Sequence, residues 1–280
     1  MNRFDISKLI LSKFKNITFE YLKNQYAESG PINHIVIDEL LPREIALKLN
    51  DLFPNESELN HIKGVQENKF VGVNFSKSQN LIEECIYSFQ EPLVIDAISK
   101  ITRIKELIGD PELYAGGISS MSEGCFLNPH IDNSHDRNLK NFRRLNLLYY
   151  VNKDWISDDW GGDLMLYPKG IRKEEIQITC KFNRLVIMRT DNKSLHGVKK
   201  VITKNNRRKC ISNYYFSNQS PLDKKYYHST SFRGFKKEYI KGTFLRINAL
   251  SRTFAKNIFY RLSGKSISTG YHKKFIKNSK

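Results

Sequence analysis

Apolar residues recur at helical spacing at the start of the chain: Ile6, Leu9, Ile10 and Phe14, then Phe19 and Leu22. The pattern predicts one amphipathic helix over residues 6–27, packed on the outside of something else. Gly30-Pro31 breaks it. His34-Ile35-Val36-Ile37 reads as a strand. A helix starts near Pro42 and runs to about Phe53, with Pro54 behind it. Residues 55–77 are largely polar and read as a loop. A further helical stretch covers 78–108, with a break at Pro92.

After Pro111 the period changes. Short runs rich in Tyr, Ile, Val and Leu alternate with Gly, Asn, Asp and Pro. Strands are expected near 113–119, 124–128, 144–151, 163–167, 177–180, 184–188, 197–201 and 209–217. Eight short strands with turn signals between them point to a β-sandwich or jelly-roll barrel, one sheet of which the preceding helices would brace. From Phe232 the spacing is helical again. Phe244, Ile247, Leu250, Phe254, Ile258 and Leu262 share a face, and Arg246, Arg252, Lys256 and Arg261 lie near or opposite it. Beyond Gly264 the chain is Ser- and Lys-rich and reads as frayed. The expected class is α+β, mainly β. Its expected parts are an N-terminal helical and strand support (1–110), a jelly-roll core (111–220) and a basic helical extension (221–280).

Composition supports a folded core: 40% of residues are hydrophobic and 12% aromatic. Charge sharpens the division. The formal net charge is +17, yet 233–280 holds thirteen Lys and Arg against one acid, Glu238, leaving only +5 for 1–232. Basicity therefore belongs to the tail. An amphipathic basic helix fits an anionic surface, a membrane or a glycan, or simply packs its apolar face on the domain. No nucleic-acid module is present. Cys85, Cys125, Cys180 and Cys210 lack CxxC spacing and read as reduced, partly buried thiols. No run of eighteen apolar residues occurs, and the first residues do not read as a signal peptide, so a cytoplasmic, or peripheral membrane-surface, location is expected.

Candidate chemistry begins at Asn128-Pro129-His130-Ile131-Asp132. On a strand, residues two apart face the same way, so His130 and Asp132 can reach one metal ion. His196, sixty-four positions after Asp132, can supply a third ligand. Two His and one carboxylate leave open positions for a cosubstrate and oxygen, as in non-haem iron(II) oxygenases. By itself this spacing is a weak signal. His135-Asp136 is a poor chelator, because adjacent strand residues point apart, and reads as a solvated loop pair. A dianionic cosubstrate such as 2-oxoglutarate also needs a cation at the far end of its pocket, and Arg binds a carboxylate bidentately. Strand parity puts Arg208 and Ser212 on one face and leaves Arg207 outward or in the turn. It likewise groups Arg144, Asn146, Leu148 and Tyr150 on a ligand-lined face, and Leu145, Leu147 and Tyr149 against the helical layer.

Several motifs occur in order: His130-x-Asp132, Tyr149-Tyr150-Val-Asn-Lys-Asp-Trp155, Trp160-Gly161-Gly162-Asp163-Leu164, Phe182-Asn183-Arg184-Leu185, His196-Gly197-Val198 and Arg208-x3-Ser212-x-Tyr-Tyr-Phe216. The set resembles the prolyl 4-hydroxylase-like 2-oxoglutarate/Fe(II)-dependent dioxygenases over roughly 115–218, with a weaker echo at 34–53. The resemblance implies a double-stranded β-helix. It implies iron on His130, Asp132 and His196, and cosubstrate contacts from Arg208, Tyr150, Ser212 and Asn146. It implies Fe(II), 2-oxoglutarate and O2 as cofactors, and leaves room for ascorbate. It implies hydroxylation of an unactivated C–H bond, with succinate and CO2 as co-products. Halogenating relatives replace the carboxylate, so Asp132 favours hydroxylation. The substrate, whether a peptidyl side chain, a sugar or a small metabolite, is not implied. Trp155, Trp160 and 133–141 are candidates for the entrance. Arg208 lies twelve positions after His196, slightly farther than close relatives would have it. The competing expectation is a catalytically silent or cupin-like metal-binding jelly roll whose basic tail serves an anionic partner.

Overall fold

The computed structural model describes residues 1–263 apart from 157–159, 205, 223, 225 and 237. The single helix expected at the start is two, α1 (Arg3–Ile17) and α2 (Phe19–Glu28). Asn2 opens α1 with a capping box, its side chain accepting from the Asp5 N–H while the Asp5 carboxylate accepts from the Asn2 N–H. Thr18, at φ 79°, splits the pair and caps α2 by accepting from the Tyr21 N–H. The apolar spacing still finds its target: Ile6, Ile10, Phe14 and Leu22 are fully buried. Strand β1 (His34–Ile37) and helices α3 (Arg43–Asp51), α4 (Asn80–Ser88) and α5 (Pro92–Thr102) follow. Pro92 stands in the first turn of α5, where its missing N–H would have no partner anyway.

Residues 55–77 are not only loop. They hold the hairpin β2 (Asn60–Lys63) and β3 (Glu67–Gly72). Alternation is hidden there because Glu67 and Lys69 line a largely polar cavity rather than join an apolar core. The eight expected core strands are all present: β4 (Gly117–Met121), β5 (Phe126–Ile131), β6 (Phe142–Tyr150), β7 (Leu164–Leu166), β8 (Ile176–Ile178), β9 (Arg184–Arg189), β10 (His196–Val198) and β11 (Arg208–Ser217). A two-residue strand, β12 (Ser231–Phe232), pairs with β5.

Pairing within the core is nested and antiparallel: β4 with β11, β5 with β10, β6 with β9 and β7 with β8. A long hairpin rolled up on itself gives this order, so the core is a double-stranded β-helix. One wall runs β1-β9-β6-β11-β4 and the other β3-β5-β10-β7-β8, with β3 bridging β4 and β5. Leu145, Leu147 and Tyr149 face the helices and join Ile6, Phe14, Ile86 and Phe89 in the larger core. Leu148 and Tyr150 face the barrel interior with Leu164, Val186 and Val198. From Leu145 to Tyr150 both sides of β6 therefore follow its alternation.

The last helix, α6 (Tyr239–Ser263), corrects one expectation. Its Phe244, Ile247, Leu250, Phe254 and Ile258 do not pack on the domain; they are 42–68% exposed. Leu245 and Ala249, a third of a turn or more away, make the buried contact. A hydroxyl pair, Ser229 and Thr253, ties the helix to the chain ahead of it at 2.7 Å. The Arg261 and Leu262 side chains and the tail beyond Gly264 lie outside the described residues. All four cysteines are buried and none forms a disulfide. No helix among the described residues is long and apolar enough to cross a membrane.

Candidate active site

Strands β5 and β10 pair with His130 opposite His196, and Asp132 follows one residue after the end of β5. The two imidazole centres are 4.4 Å apart, and one ligand atom from each of the three residues lies within 4.8 Å of the others. Both rings are oriented from behind. His130 Nδ1 sits 2.9 Å from the Asn128 carbonyl, and His196 Nδ1 sits 2.9 Å from the Ser194 carbonyl. A carbonyl can only accept, so each Nδ1 carries the proton and each Nε2 offers a lone pair toward Asp132. His130 Nε2 is 3.4 Å from Asp132 Oδ1, and His196 Nε2 is 3.8 Å from Oδ2. Asp132 Oδ2 is buried without a hydrogen-bond partner. Phe232 stacks on His130 at 5.1 Å and closes the outer side. Convergent lone pairs and an unsatisfied carboxylate oxygen are the donor set an iron(II) ion requires, so the residues fit the metal.

Electrostatics keep these donors in their binding forms. Burial pushes the His196 imidazole down to about 4, reinforced by His130, so it is neutral at neutral pH. Burial alone would raise the Asp132 carboxyl, but the Arg143 guanidinium, the strongest opposing influence, holds the acid well below the usual carboxylate range. Arg143 was not expected here. Its Nη1 stands 3.3 Å from Asp132 Oδ2, its Nη2 donates to Asn133 Oδ1 at 2.7 Å, and its guanidinium lies 4.3 Å over the Tyr214 ring.

Simple parity placed Arg144 on this face instead. The register shows why that fails. Tyr215 pairs with Leu145, but Phe216 pairs with Arg143, so Arg144 is the extra residue of a bulge in β6. The bulge swings Arg143 inward and sends Arg144 out to the Gln219 carbonyl. A sequence signal existed only in the doubled Arg143-Arg144, which does not say which arginine turns in.

The triad lies where two cavities of about 230 Å3 each meet. The inner cavity runs between the barrel walls past Leu148, Leu164 and Val198 and ends at Arg208. Asn146, Ser212 and Tyr214 also line it. Arg208 is 2% exposed, and no carboxylate among the described residues pairs with it. Its Nη2 donates to the Tyr150 hydroxyl at 3.2 Å, its guanidinium lies 4.8 Å from the centre of that ring, and its Nε has no partner. Burial pushes the Tyr150 hydroxyl far up, so it stays protonated. Asn146 donates to the Tyr214 hydroxyl at 3.0 Å and leaves its own Oδ1 unsatisfied. Ser212 Oγ donates to the Gly117 carbonyl at 3.3 Å. Arg207 is turned away, donating to the Phe53 and Pro54 carbonyls.

The outer cavity opens beneath α6 and is walled by Tyr227, Thr230, Phe232, Arg252 and Lys256 together with Asn133 and Leu139. Of the entrance candidates, only residues from 133–141 reach it. Trp155 is a core residue that donates to the Gly161 carbonyl and meets Trp160 edge-on. His135 is not solvated as expected. It is buried between Phe142, Tyr226 and Tyr227, bonded to Ser134, while Asp136 accepts from Lys140 and Asn141. Another cavity, of about 680 Å3, lies between α1 and α3 and reaches none of the triad.

Residues 116–216 match the model of the 2OG-Fe(II) oxygenase superfamily. Over this segment the sequence is similar to that superfamily. No curated protein matches the sequence significantly. Among solved structures, the fold is similar to a prolyl hydroxylase from Trichoplax adhaerens in complex with a hypoxia inducible factor peptide (TM-score 0.54, 20% identity, 74% of this chain and 92% of that one). It is also similar to prolyl 4-hydroxylases from Phytophthora capsici (0.53, 18%, 91% and 78%) and Pseudomonas putida (0.50, 14%, 70% and 98%). At these identities the likeness is one of fold. Over the matched segment, similarity to the 2OG-Fe(II) oxygenase superfamily implies Fe(II) and 2-oxoglutarate as cofactors.

Proposed function

We propose that the protein is an active Fe(II)- and 2-oxoglutarate-dependent hydroxylase acting on an unactivated C–H bond. The observation that carries this is Arg208: a buried cation with no acidic partner, at the blind end of a cavity whose other end is the triad. An uncompensated buried charge is costly, so a fold retains one where an anion will join it. The cavity would hold 2-oxoglutarate between the triad and Arg208. His130, Asp132 and His196 would hold the metal. Arg208 would take the far carboxylate, with Tyr150 donating its hydroxyl proton and Ser212 and Asn146 completing the grip. When bound, the metal and its cosubstrate supply oxygen activation, consuming O2 and releasing succinate and CO2; ascorbate would serve only to keep the iron reduced.

The protein's own part is positional. Backbone carbonyls behind both imidazoles fix the donor tautomer. Arg143 steadies Asp132, and Phe232 with the apolar inner walls excludes water from the metal face. The stretch 111–220 is the catalytic core in this reading, 1–110 its support and 221–280 the outer wall of the pocket. Purified protein given iron(II), 2-oxoglutarate and O2 should form succinate, slowly and uncoupled even without substrate, and Asp132→Ala should abolish it. Metal binding without any turnover would favour a silent binding module. Turnover of another kind that ignores 2-oxoglutarate would favour a cupin-like enzyme.

The outward apolar face of α6, flanked by lysines and arginines, supports an anionic lipid surface as the partner of the C-terminal part.

A further inference from the structure

Among the described residues four cations border the outer cavity, and two of them are already neutralised. Arg143 pairs with Asp132, and Lys69 pairs with Glu67 at 2.8 Å. The other two, Arg252 and Lys256, come from α6. Arg252 Nη2 makes one long contact, 3.4 Å to the Thr230 carbonyl, and its Nε is buried without a partner. Lys256 forms no ion pair among the described residues. Burial and its neighbour Arg252 both hold its ammonium below the ordinary lysine range, as expected of two cations facing each other with no anion between them. Residues four apart on a helix are neighbours, so the two head groups can converge on one ligand. The Thr230 and Tyr227 side chains line the same cavity and bring hydroxyl groups to it.

We infer that the substrate carries a phosphate group, and that Arg252 and Lys256 grip it while the rest of the molecule extends through the outer cavity toward the triad. A phosphate monoester is a dianion with three acceptor oxygens, which matches two uncompensated cations better than a single carboxylate does. The assignment rests on the triad and the inner cavity being the metal and cosubstrate site. It adds the chemistry of the molecule presented to them. It also gives α6 a second role: its outward side is apolar, but its inward side closes the pocket with charge.

The test uses the full chain loaded with zinc(II) in place of iron and saturated with 2-oxoglutarate. Glycerol 3-phosphate, glycerate and glycerol, which share a skeleton, are titrated by calorimetry. Glycerol 3-phosphate should bind at least about tenfold more tightly than either of the others, about 1.4 kcal/mol. Arg252→Gln and Lys256→Gln should each remove most of that preference, and Lys256→Arg should keep it. The affinity for 2-oxoglutarate, measured in the same proteins, should not move and serves as the control for folding. Equal binding of glycerol 3-phosphate and glycerate, or a preference that survives both Gln variants, overturns the inference. Failure of the wild type to bind 2-oxoglutarate would instead overturn the site on which it rests.

Discussion

Arg208 and Arg143 are both buried guanidinium groups, yet they do different things. Arg143 has a carboxylate beside it, and its charge keeps Asp132 ionised. Arg208 has only a tyrosine hydroxyl, a methionine sulfur and an unsatisfied Nε. Replacing it by a similar apolar side chain should therefore move two properties in opposite directions. In Arg208→Met the affinity for 2-oxoglutarate should fall by at least about 30-fold, the scale of a lost buried charge contact. Without cosubstrate the same variant should unfold at a higher denaturant concentration than wild type, by ~1–3 kcal/mol, because a lone buried charge has been removed. Calorimetric titration and urea unfolding check the pair; equal cosubstrate affinity in both proteins would sink the assignment. Arg208 was legible in the sequence because parity along an unbroken strand is reliable. Arg143 was not, because one inserted residue at Arg144 reverses parity and leaves no compositional trace.

At the scale of elements, the core strands were legible wherever one side of a strand meets the helices and the other meets the barrel. Strand β6 is the clearest case, with Leu145, Leu147 and Tyr149 on one side and Leu148 and Tyr150 on the other. The β2–β3 hairpin was hidden because its inward residues line a polar cavity, and burial in a binding site does not read as hydrophobic alternation. The turn ahead of β7 shows how tightly an element can constrain the pocket. Gly161 and Gly162 have φ of +69° and +77°. A Cβ on Gly161 would stand 2.1 Å from the Lys200 carbonyl, and one on Gly162 would meet Trp155 at 2.8 Å and Arg208 at 3.4 Å. Gly161→Ala should therefore destabilise the fold by more than about 2 kcal/mol, combining left-handed backbone strain with a backbone clash. Thermal or urea unfolding measures this, and a change within ~0.5 kcal/mol would show that the turn can shift.

At the scale of the whole molecule, charge is segregated. The oxygenase core is only mildly basic, and α6 carries both the cations and an unpartnered apolar face. If that face meets lipid, the protein should co-float with phosphatidylglycerol vesicles and not with phosphatidylcholine ones, and raising salt should weaken the association. Phe244→Ser with Phe254→Ser should abolish co-flotation, whereas retention by the double variant would leave charge alone responsible. The helix was legible in the sequence, but which side of it packs was not, because only Leu245 and Ala249 are needed to seat it. The pairing of β1 with β9 has a different kind of consequence. His34–Ile37 must wait for Leu185–Met188, about 150 residues later in the chain. During synthesis, α1 to α5 emerge with their apolar sides complete but with no sheet to cover, since β6, β9 and β11 do not yet exist. Contacts this distant in sequence form slowly. Until those strands emerge, the helices can bury Ile6, Ile10, Phe14 and Phe89 only against one another, so the side of the layer that the sheet will cover stays open to misassociation.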